Sequence, residues 1–369
     1  MKILHIHPSM GSGGIEAMIC GLVNEMAKTH DVTLCTIFKV DRSNVFEQKL
    51  SPLVRRVDLG KTKPGFSLKE IFKVYLFIRK GHYDVVHIHG FFYYYALTVF
   101  LLHKKVRFVY TIHSDAAKEN STWDRRLLFL KKYAFRKEYV HPITISRTSQ
   151  KSFETYYGLD STLIYNGISA PKFDSNSDKL ETYRLTQQTK LFFHPGRITE
   201  AKNQLTLVKV FKQFEEEGRD VVLLIAGAKQ DWHIWEEIAS YFSKRIVYLG
   251  ERSDVIELMA EADAFCLPSI WEGLPVTLLE ALSVGCIPIC SPVGGIPEII
   301  EDGSNGFLAK DSGEMAYYKA VSRFLKSSAE DVAEMKKKCL ASFDKYRITE
   351  VAKRYLAVYE GRNHKKMSV

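Results

Sequence analysis

Ala264-Phe265-Cys266-Leu267-Pro268-Ser269-Ile270-Trp271-Glu272-Gly273-Leu274-Pro275-Val276-Thr277-Leu278-Leu279-Glu280-Ala281-Leu282-Ser283-Val284-Gly285 decides how this chain is read. The apolar run Ala264 to Leu267 has the composition of a buried parallel strand that ends at Pro268, and Glu272-Gly273-Leu274-Pro275 is a loop beyond its carboxyl end. A helix is expected from Val276 or Thr277, with Leu278, Leu279, Ala281 and Leu282 turned to a core and Gly285 as its C-terminal stop. Ligands of open α/β sheets settle at strand carboxyl ends, where helix N-termini offer unpaired N–H groups to anions. Glu280 then falls in the first helical turn or just past it. That sets a hydroxyl-binding carboxylate beside an anion-binding helix start, as a nucleoside diphosphate ribose requires. A lone Glu would merely complement the helix dipole, worth about 0.3–1 kcal/mol. The second acid, Glu272, with Gly273 and Pro275 in the same loop, turns the reading toward a site.

At 369 residues the chain is long enough for two domains, each with its own core. No stretch approaches the roughly 18 apolar residues of a membrane span; the nearest, Phe91 to Leu102, reads as a buried helix. Met1-Lys2-Ile3-Leu4-His5-Ile6-His7 turns polar too early for an export signal, so a cytoplasmic location is expected. The six cysteines form no Cys-x-x-Cys pair and read as reduced core thiols. Charge is uneven: residues 1–170 hold 25 Lys+Arg against 14 Asp+Glu, and residues 171–369 hold 27 against 29. The first half should therefore face something anionic, through Lys104-Lys105, Arg125-Arg126, Lys131-Lys132 and Arg136-Lys137. No nucleic-acid-binding motif accompanies these pairs, whereas anionic lipid headgroups or a lipid-linked phosphate suit them.

Apolar β-rich runs alternate with helical patterns throughout, the signature of parallel sheets with helices on both faces. Strands are expected at 2–7, 31–37, 84–89, 106–112 and 140–145, then again at 190–195, 221–226, 245–249, 263–267 and 286–290. Helices are expected at 15–28, 67–80, 91–103, 122–138, 147–157, 202–217, 231–242, 253–261, 277–284 and 313–326. This gives an α/β protein of two doubly wound, Rossmann-like domains, 1–168 and 169–345, facing each other across a cleft. The breaker-rich segment Ala170 to Lys179 is the expected linker. The tail from His364 should be loose.

Other strand ends carry site-like residues. Pro8 to Glu16 is a Gly-rich turn opening a helix, able to bring backbone N–H groups to a diphosphate, although Glu16 occupies the place of the third glycine of a dinucleotide fingerprint. Phe193 to Asn203 repeats that geography in the second half, with Arg197 and Lys202 able to neutralise a leaving diphosphate. His113 follows the strand 106–112, and Gly285 to Glu298 supplies a further Gly-rich strand end.

Together, Gly13-Gly14-x-Glu16, His113, Asn166-Gly167, Gly196-Arg197 with Lys202, Glu272-x7-Glu280 and Gly294-Gly295-x-x-Glu298 resemble a retaining glycosyltransferase of family 4, in family order over nearly the full chain. The resemblance implies the GT-B fold, with an acceptor-binding first domain, a donor-binding second domain and a last helix, within 346–369, returning to the first domain. It implies that Arg197 and Lys202 bind the donor diphosphate, Glu280 the ribose hydroxyls and Glu272 the hydroxyls of the transferred sugar. Gly14 would admit phosphate closely, and His113 would contact the donor sugar near the reacting carbon. Leu278 and Leu279 at the helix start, and the base-facing turn Leu249 to Arg252, would complete the donor contacts.

No Asp-x-Asp occurs, so cationic side chains and helix N-termini would stabilise the departing diphosphate without a metal or other cofactor. The expected reaction passes a sugar from a nucleotide-sugar, a UDP-sugar first among candidates, to a glycan or lipid-linked acceptor in surface polysaccharide assembly. Domain closure would exclude water from it. A small soluble acceptor is the alternative enzyme reading; a non-catalytic sugar-nucleotide-binding or scaffold subunit is the alternative outside enzymes.

Overall fold

The computed structural model describes residues 1–11, 13–40, 45–63, 65–120, 122–171 and 178–362. Most of the expected linker, Ser12 of the first Gly-rich turn and the tail from His364 lie outside them. The chain divides into two units, Met1–Ser169 with Tyr346–Val369, and Ala170–Lys345.

Unit 1 contains β1 (Lys2–His7), β2 (Asp31–Phe38), β3 (Arg55–Lys61), β4 (Val85–Ile88), β5 (Arg107–Ile112), β6 (Val140–Thr144) and β7 (Thr162–Leu163), in the order β3-β2-β1-β4-β5-β6-β7 with parallel neighbours. Unit 2 contains β8 (Lys190–Pro195), β9 (Val221–Ala226), β10 (Ile246–Tyr248), β11 (Ala264–Leu267), β12 (Ile287–Cys290) and β13 (Phe307–Leu308), in the order β10-β9-β8-β11-β12-β13, again parallel. Helices cover both faces of such sheets, so their strands read as continuous apolar runs; β9, Val-Val-Leu-Leu-Ile-Ala, is buried at every position. In each unit the strand order reverses beside the first strand, between β1 and β4 and between β8 and β11. Loops diverge there and leave a crevice at the carboxyl ends, the usual ligand position of the fold.

Several expected elements differ. The edge strand β3, Arg-Arg-Val-Asp-Leu-Gly-Lys, was not anticipated, because charges that protect a sheet edge hide the apolar alternation. The two-residue strands β7 and β13 and the helices Val45–Lys49 and Ala329–Phe343 were also missed. The expected helix 91–103 is a short 3₁₀ turn, Phe92–Tyr94, followed by Ala96–Leu102, with Phe91 in the left-handed region at φ 48°. The expected helix 122–138 is broken at Leu127 into Thr122–Arg126 and Leu128–Arg136. Phe92, Tyr93, Tyr94 and Tyr95 are all buried in the unit 1 core, so this aromatic run packs the interior. The six cysteines are buried free thiols, and no described helix is long and apolar enough to cross a membrane.

Candidate functional site

In unit 2 the loops after β8 and β11 are tied together by their own polar groups. Gln204, fully buried, donates to the carbonyl of Arg197 (2.8 Å) and pairs with Nε2 of His194 (3.0 Å), whose Nδ1 lies 2.8 Å from the carbonyl of Cys266. A carboxamide and a neutral imidazole thereby pin the Gly196-Arg197 turn to both neighbouring elements. Burial pushes the His194 imidazole down to about 4, in keeping with its neutral role. The turn after β9 presses on the same place: a Cβ on Gly227 would lie 2.0 Å from the carbonyl oxygen of Gly196.

Asn203, left-handed at φ 56°, sends its amide to the carbonyls of Pro268 (3.0 Å) and Ser312 (3.1 Å), and the Ile270 N–H donates to the Ala201 carbonyl (2.9 Å). These bonds deliver Lys202 to Glu272. Lys202 Nζ lies 2.6 Å from Glu272 Oε1, which also accepts from Ser269 Oγ at 2.7 Å. Both bonds fall on one oxygen, and the pair is largely sheltered, with side-chain exposures of 20% and 12%. Behind it, Gly294 sits at φ 58°, where a Cβ would lie 2.1 Å from the Glu272 carbonyl oxygen, and the Gly295 N–H donates to Gly273 (2.7 Å).

Glu280 is the fifth residue of the helix Val276–Ser283, past the first turn, which holds no acid. It therefore does not serve as an N-terminal dipole partner. Glu280 shares the less buried stripe of that helix with Thr277 and Ser283, at helical spacing. Leu278 and Leu279 are fully buried, so their side chains serve the core of unit 2; the Leu278 N–H donates to Pro275. Arg197 is exposed, and among the described residues it carries no ion pair. Arg252 lies apart from this grouping. It forms a two-pronged pair with Asp254 (2.6 and 2.9 Å), which Lys179 also holds (2.9 Å) and which these bonds, working against burial, bring down to about 2.

In unit 1, Gly14 opens the helix Gly14–Met26 and is exposed. Glu16 folds back on the Gly-rich turn, accepting from the Gly11 N–H (3.3 Å) and lying 3.9 Å from His7 Nε2. Burial works against its ionisation, but the hydrogen bond and charge of His7 bring its carboxyl below the ordinary value. His113 follows β5 and is buried; its backbone N–H donates to Glu119 (3.0 Å) and its ring Nε2 meets His89 Nδ1 (3.0 Å). Sequence reasoning missed the surrounding histidines. His5, His87 and His89 are fully buried on β1, on β4 and just after β4. The available signal was the repeated His-x-His at 5–7 and 87–89 beside Thr111-x-His113. The basic pairs also divide. Arg125, Arg126, Arg136 and Lys137 are exposed, but Lys131 is buried, donating to Tyr110 (3.2 Å) and Asn120 (3.0 Å), and faces no anionic surface.

Comparison with known proteins identifies the family and the fold. Residues 12–170 match the model of Glycosyltransferase Family 4 and residues 176–339 that of Glycosyl transferases group 1. An Escherichia coli UDP-Gal:alpha-D-GlcNAc-diphosphoundecaprenol alpha-1,3-galactosyltransferase is 25% identical over 278 residues, 69% of this chain and 68% of that protein. A Campylobacter jejuni N,N'-diacetylbacillosaminyl-diphospho-undecaprenol alpha-1,3-N-acetylgalactosaminyltransferase is 32% identical over 118 residues, 32% of this chain and 31% of that one. Among solved structures, Anabaena HepE in complex with UDP-glucose superposes with a TM-score of 0.81 at 19% identity, covering 98% of this chain and all of that one. With two parallel-sheet α/β units, the GT-B architecture and both family models matched in order, the chain belongs to glycosyltransferase family 4.

Proposed function

We propose that this glycosyltransferase uses a UDP-sugar and extends a lipid-linked saccharide during surface polysaccharide assembly, with retention of anomeric configuration and without a divalent metal. The observation that carries the reading is the Lys202–Glu272 pair at the carboxyl ends of β8 and β11. It puts a cation for phosphate and a carboxylate for hydroxyls within one hydrogen bond of each other at the strand-order reversal. Glu272 holds Lys202 and Ser269 through Oε1, leaving Oε2 for hydroxyls of the transferred sugar. Lys202 keeps two N–H donors beyond the one given to Glu272, and with the exposed guanidinium of Arg197 it neutralises the diphosphate as it departs. Glu280 takes the ribose hydroxyls, and the base lies along the turn from Leu249 to Arg252. His113, with Gly14, keeps the role that the family resemblance assigns.

In this mechanism the bond from the anomeric carbon to the diphosphate breaks first. The acceptor hydroxyl attacks the resulting oxocarbenium-like centre from the face the diphosphate leaves, and its proton passes to the departing diphosphate oxygen. A double displacement would need a carboxylate nucleophile beneath the anomeric carbon; in this reading Glu272 is engaged with Lys202 and Ser269 through one oxygen and with hydroxyls of the sugar through the other.

A lipid-linked acceptor is favoured over a soluble one by the surface of unit 1. The helices Ala96–Leu102 and Leu128–Arg136 pack together through Phe100 and Tyr133 and expose Leu97, Leu101, Phe129 and Tyr133; Lys104, Lys105, Arg125, Arg126, Arg136 and Lys137, in or beside these helices in sequence, are exposed as well. Exposed apolar side chains with exposed cations in and beside the same helices suit an anionic membrane interface. The two undecaprenol-linked substrates named for the relatives above are of this acceptor class.

The test is transfer from a panel of UDP-, GDP- and ADP-sugars to an undecaprenyl-diphosphate saccharide, with the product's anomeric configuration read by NMR and the rate measured in excess chelator. An α-linked product from an α-configured UDP-sugar at an unchanged rate supports the proposal; inversion, or loss of activity on chelation, refutes the corresponding part.

A further inference from the structure

His5-x-His7, His87-x-His89 and Thr111-x-His113 lie on or just beyond three neighbouring parallel strands, β1, β4 and β5. The two-residue period puts each motif on one face of the sheet, and register sets His5 against His87. On that face the polar atoms form one continuous chain. Tyr355 Oη lies 3.4 Å from Thr111 Oγ1, which is 2.7 Å from His87 Nε2; His87 Nδ1 is 2.6 Å from Tyr359 Oη, which is 3.4 Å from His5 Nε2. His5 Nδ1 continues to His89 Nε2 (3.1 Å), and His89 Nδ1 to His113 Nε2 (3.0 Å). Both tyrosines belong to the last helix, Ile348–Tyr359. His5, His87 and His89 are close enough to hold a metal ion, but all six of their ring nitrogens already face a protein partner.

Burial holds the four rings neutral, with His5 and His113 pushed down to about 3 and His87 and His89 well below the ordinary value. A neutral ring has one N–H and one bare nitrogen, so fixing one ring fixes the next. Because the Thr111 and Tyr359 hydroxyls can also accept from both sides, four arrangements satisfy every link. If protons point from Tyr355 toward His113, each hydroxyl and imidazole donates once, and the sole orphan is the Nδ1–H of His113. In each of the other three, the hydroxyl of Tyr355, Thr111 or Tyr359 loses its acceptor and His113 Nδ1 becomes a bare, unpartnered nitrogen. His113 Nδ1 is buried without a partner among the described residues. One orphan is less costly than two, so the first arrangement prevails.

We infer that Thr111, His87, Tyr359, His5 and His89 are positioning residues that lock His113 in its Nδ1–H tautomer, so that it presents a hydrogen-bond donor to an oxygen of the bound donor substrate. The consequence for turnover rests on the proposed contact between His113 and the donor sugar; the tautomer itself does not.

The test is long-range ¹H–¹⁵N correlation of the full chain carrying ¹⁵N-histidine, with the His113 signals assigned by their loss in His113→Gln. Wild type and Thr111→Ser should show His113 protonated at Nδ1. Thr111→Val, nearly isosteric, and Tyr359→Phe, in the middle of the relay, should each give mixed His113 tautomers, with kcat lowered about fivefold and KM little changed. A bare Nδ1 in wild type, or an unchanged His113 tautomer in both folded variants, overturns the inference. Altered tautomers with unchanged kcat support the relay and refute the role of His113 in transfer.

Discussion

Lys202 and Glu272, 70 positions apart in sequence, meet at 2.6 Å because Asn203 and Ile270 bind the β8 and β11 loops to each other. Neither side chain is placed by its own strand alone. Replacing Lys202 by Met should lower kcat/KM about a hundredfold, the usual cost of removing one charge-stabilising donor. Glu272→Gln keeps the Ser269 bond but loses the ionic one, and should act mainly on kcat. Steady-state kinetics of the two variants checks both, and unchanged transfer in either would remove this pair from the mechanism.

Gly294 supports that arrangement from behind. Alanine there combines a left-handed backbone with a Cβ placed 2.1 Å from the Glu272 carbonyl oxygen. The backbone conformation alone costs about 1–2 kcal/mol, and relieving the clash requires the Glu272 loop to move. Gly294→Ala should therefore lower the melting temperature and abolish transfer together. Gly218→Ala shares a positive φ but meets no atom within 4 Å, and should lower only the melting temperature.

Five buried histidines, 5, 87, 89, 113 and 194, are held neutral, below their ordinary value of 6.5. The unfolded chain binds protons at these rings from about pH 6.5 downward, whereas the folded chain refuses them until about pH 4 for His194 and about 3 for His5 and His113. Their contribution to stability is thus complete above pH 6.5 and is lost as pH falls toward 3. Each ring contributes a slope of up to about 1.4 kcal/mol per pH unit in that window. Denaturant titrations at pH 7.5, 6.0 and 5.0 should show steeply falling stability with several protons taken up on unfolding; a flat profile would mean that these rings are charged in the folded protein.

The exposed pair Arg126 and Phe129 offers a separate test at the surface of unit 1. Arg126→Glu with Phe129→Ser should reduce co-sedimentation with vesicles containing phosphatidylglycerol at least tenfold, since each basic residue near such a surface contributes about 1 kcal/mol. Transfer to a soluble, lipid-free acceptor should be unaffected. Wild-type protein that ignores anionic vesicles at low salt would weaken the lipid-linked reading.

How far the sequence could be read depended on whether one segment carried its own signal. Strands β8, β9 and β11 announce themselves as apolar runs, so the paired loops at 196–202 and 268–275 were visible without a structure. The edge strand β3 was not, because Arg55, Arg56, Asp58 and Lys61 mask its alternation. Lys131 looked like surface charge, although Tyr110 and Asn120 bury it. The histidine chain was least legible, since each His reads as a lone polar residue until the register of β1, β4 and β5 brings three distant motifs together and Tyr359 arrives from a helix 272 positions beyond His87.

Calorimetric titration of UDP and of the cognate UDP-sugar into wild type and Glu280→Ala tests the donor assignment most directly. The wild-type chain should bind both, and the variant, whose altered side chain lies on the less buried stripe of its helix, should stay folded and bind each about tenfold more weakly, as for a lost hydrogen bond to a charged group. Equal affinity in the two proteins would contradict the assignment of the ribose to Glu280 and, with it, the placement of the donor in unit 2.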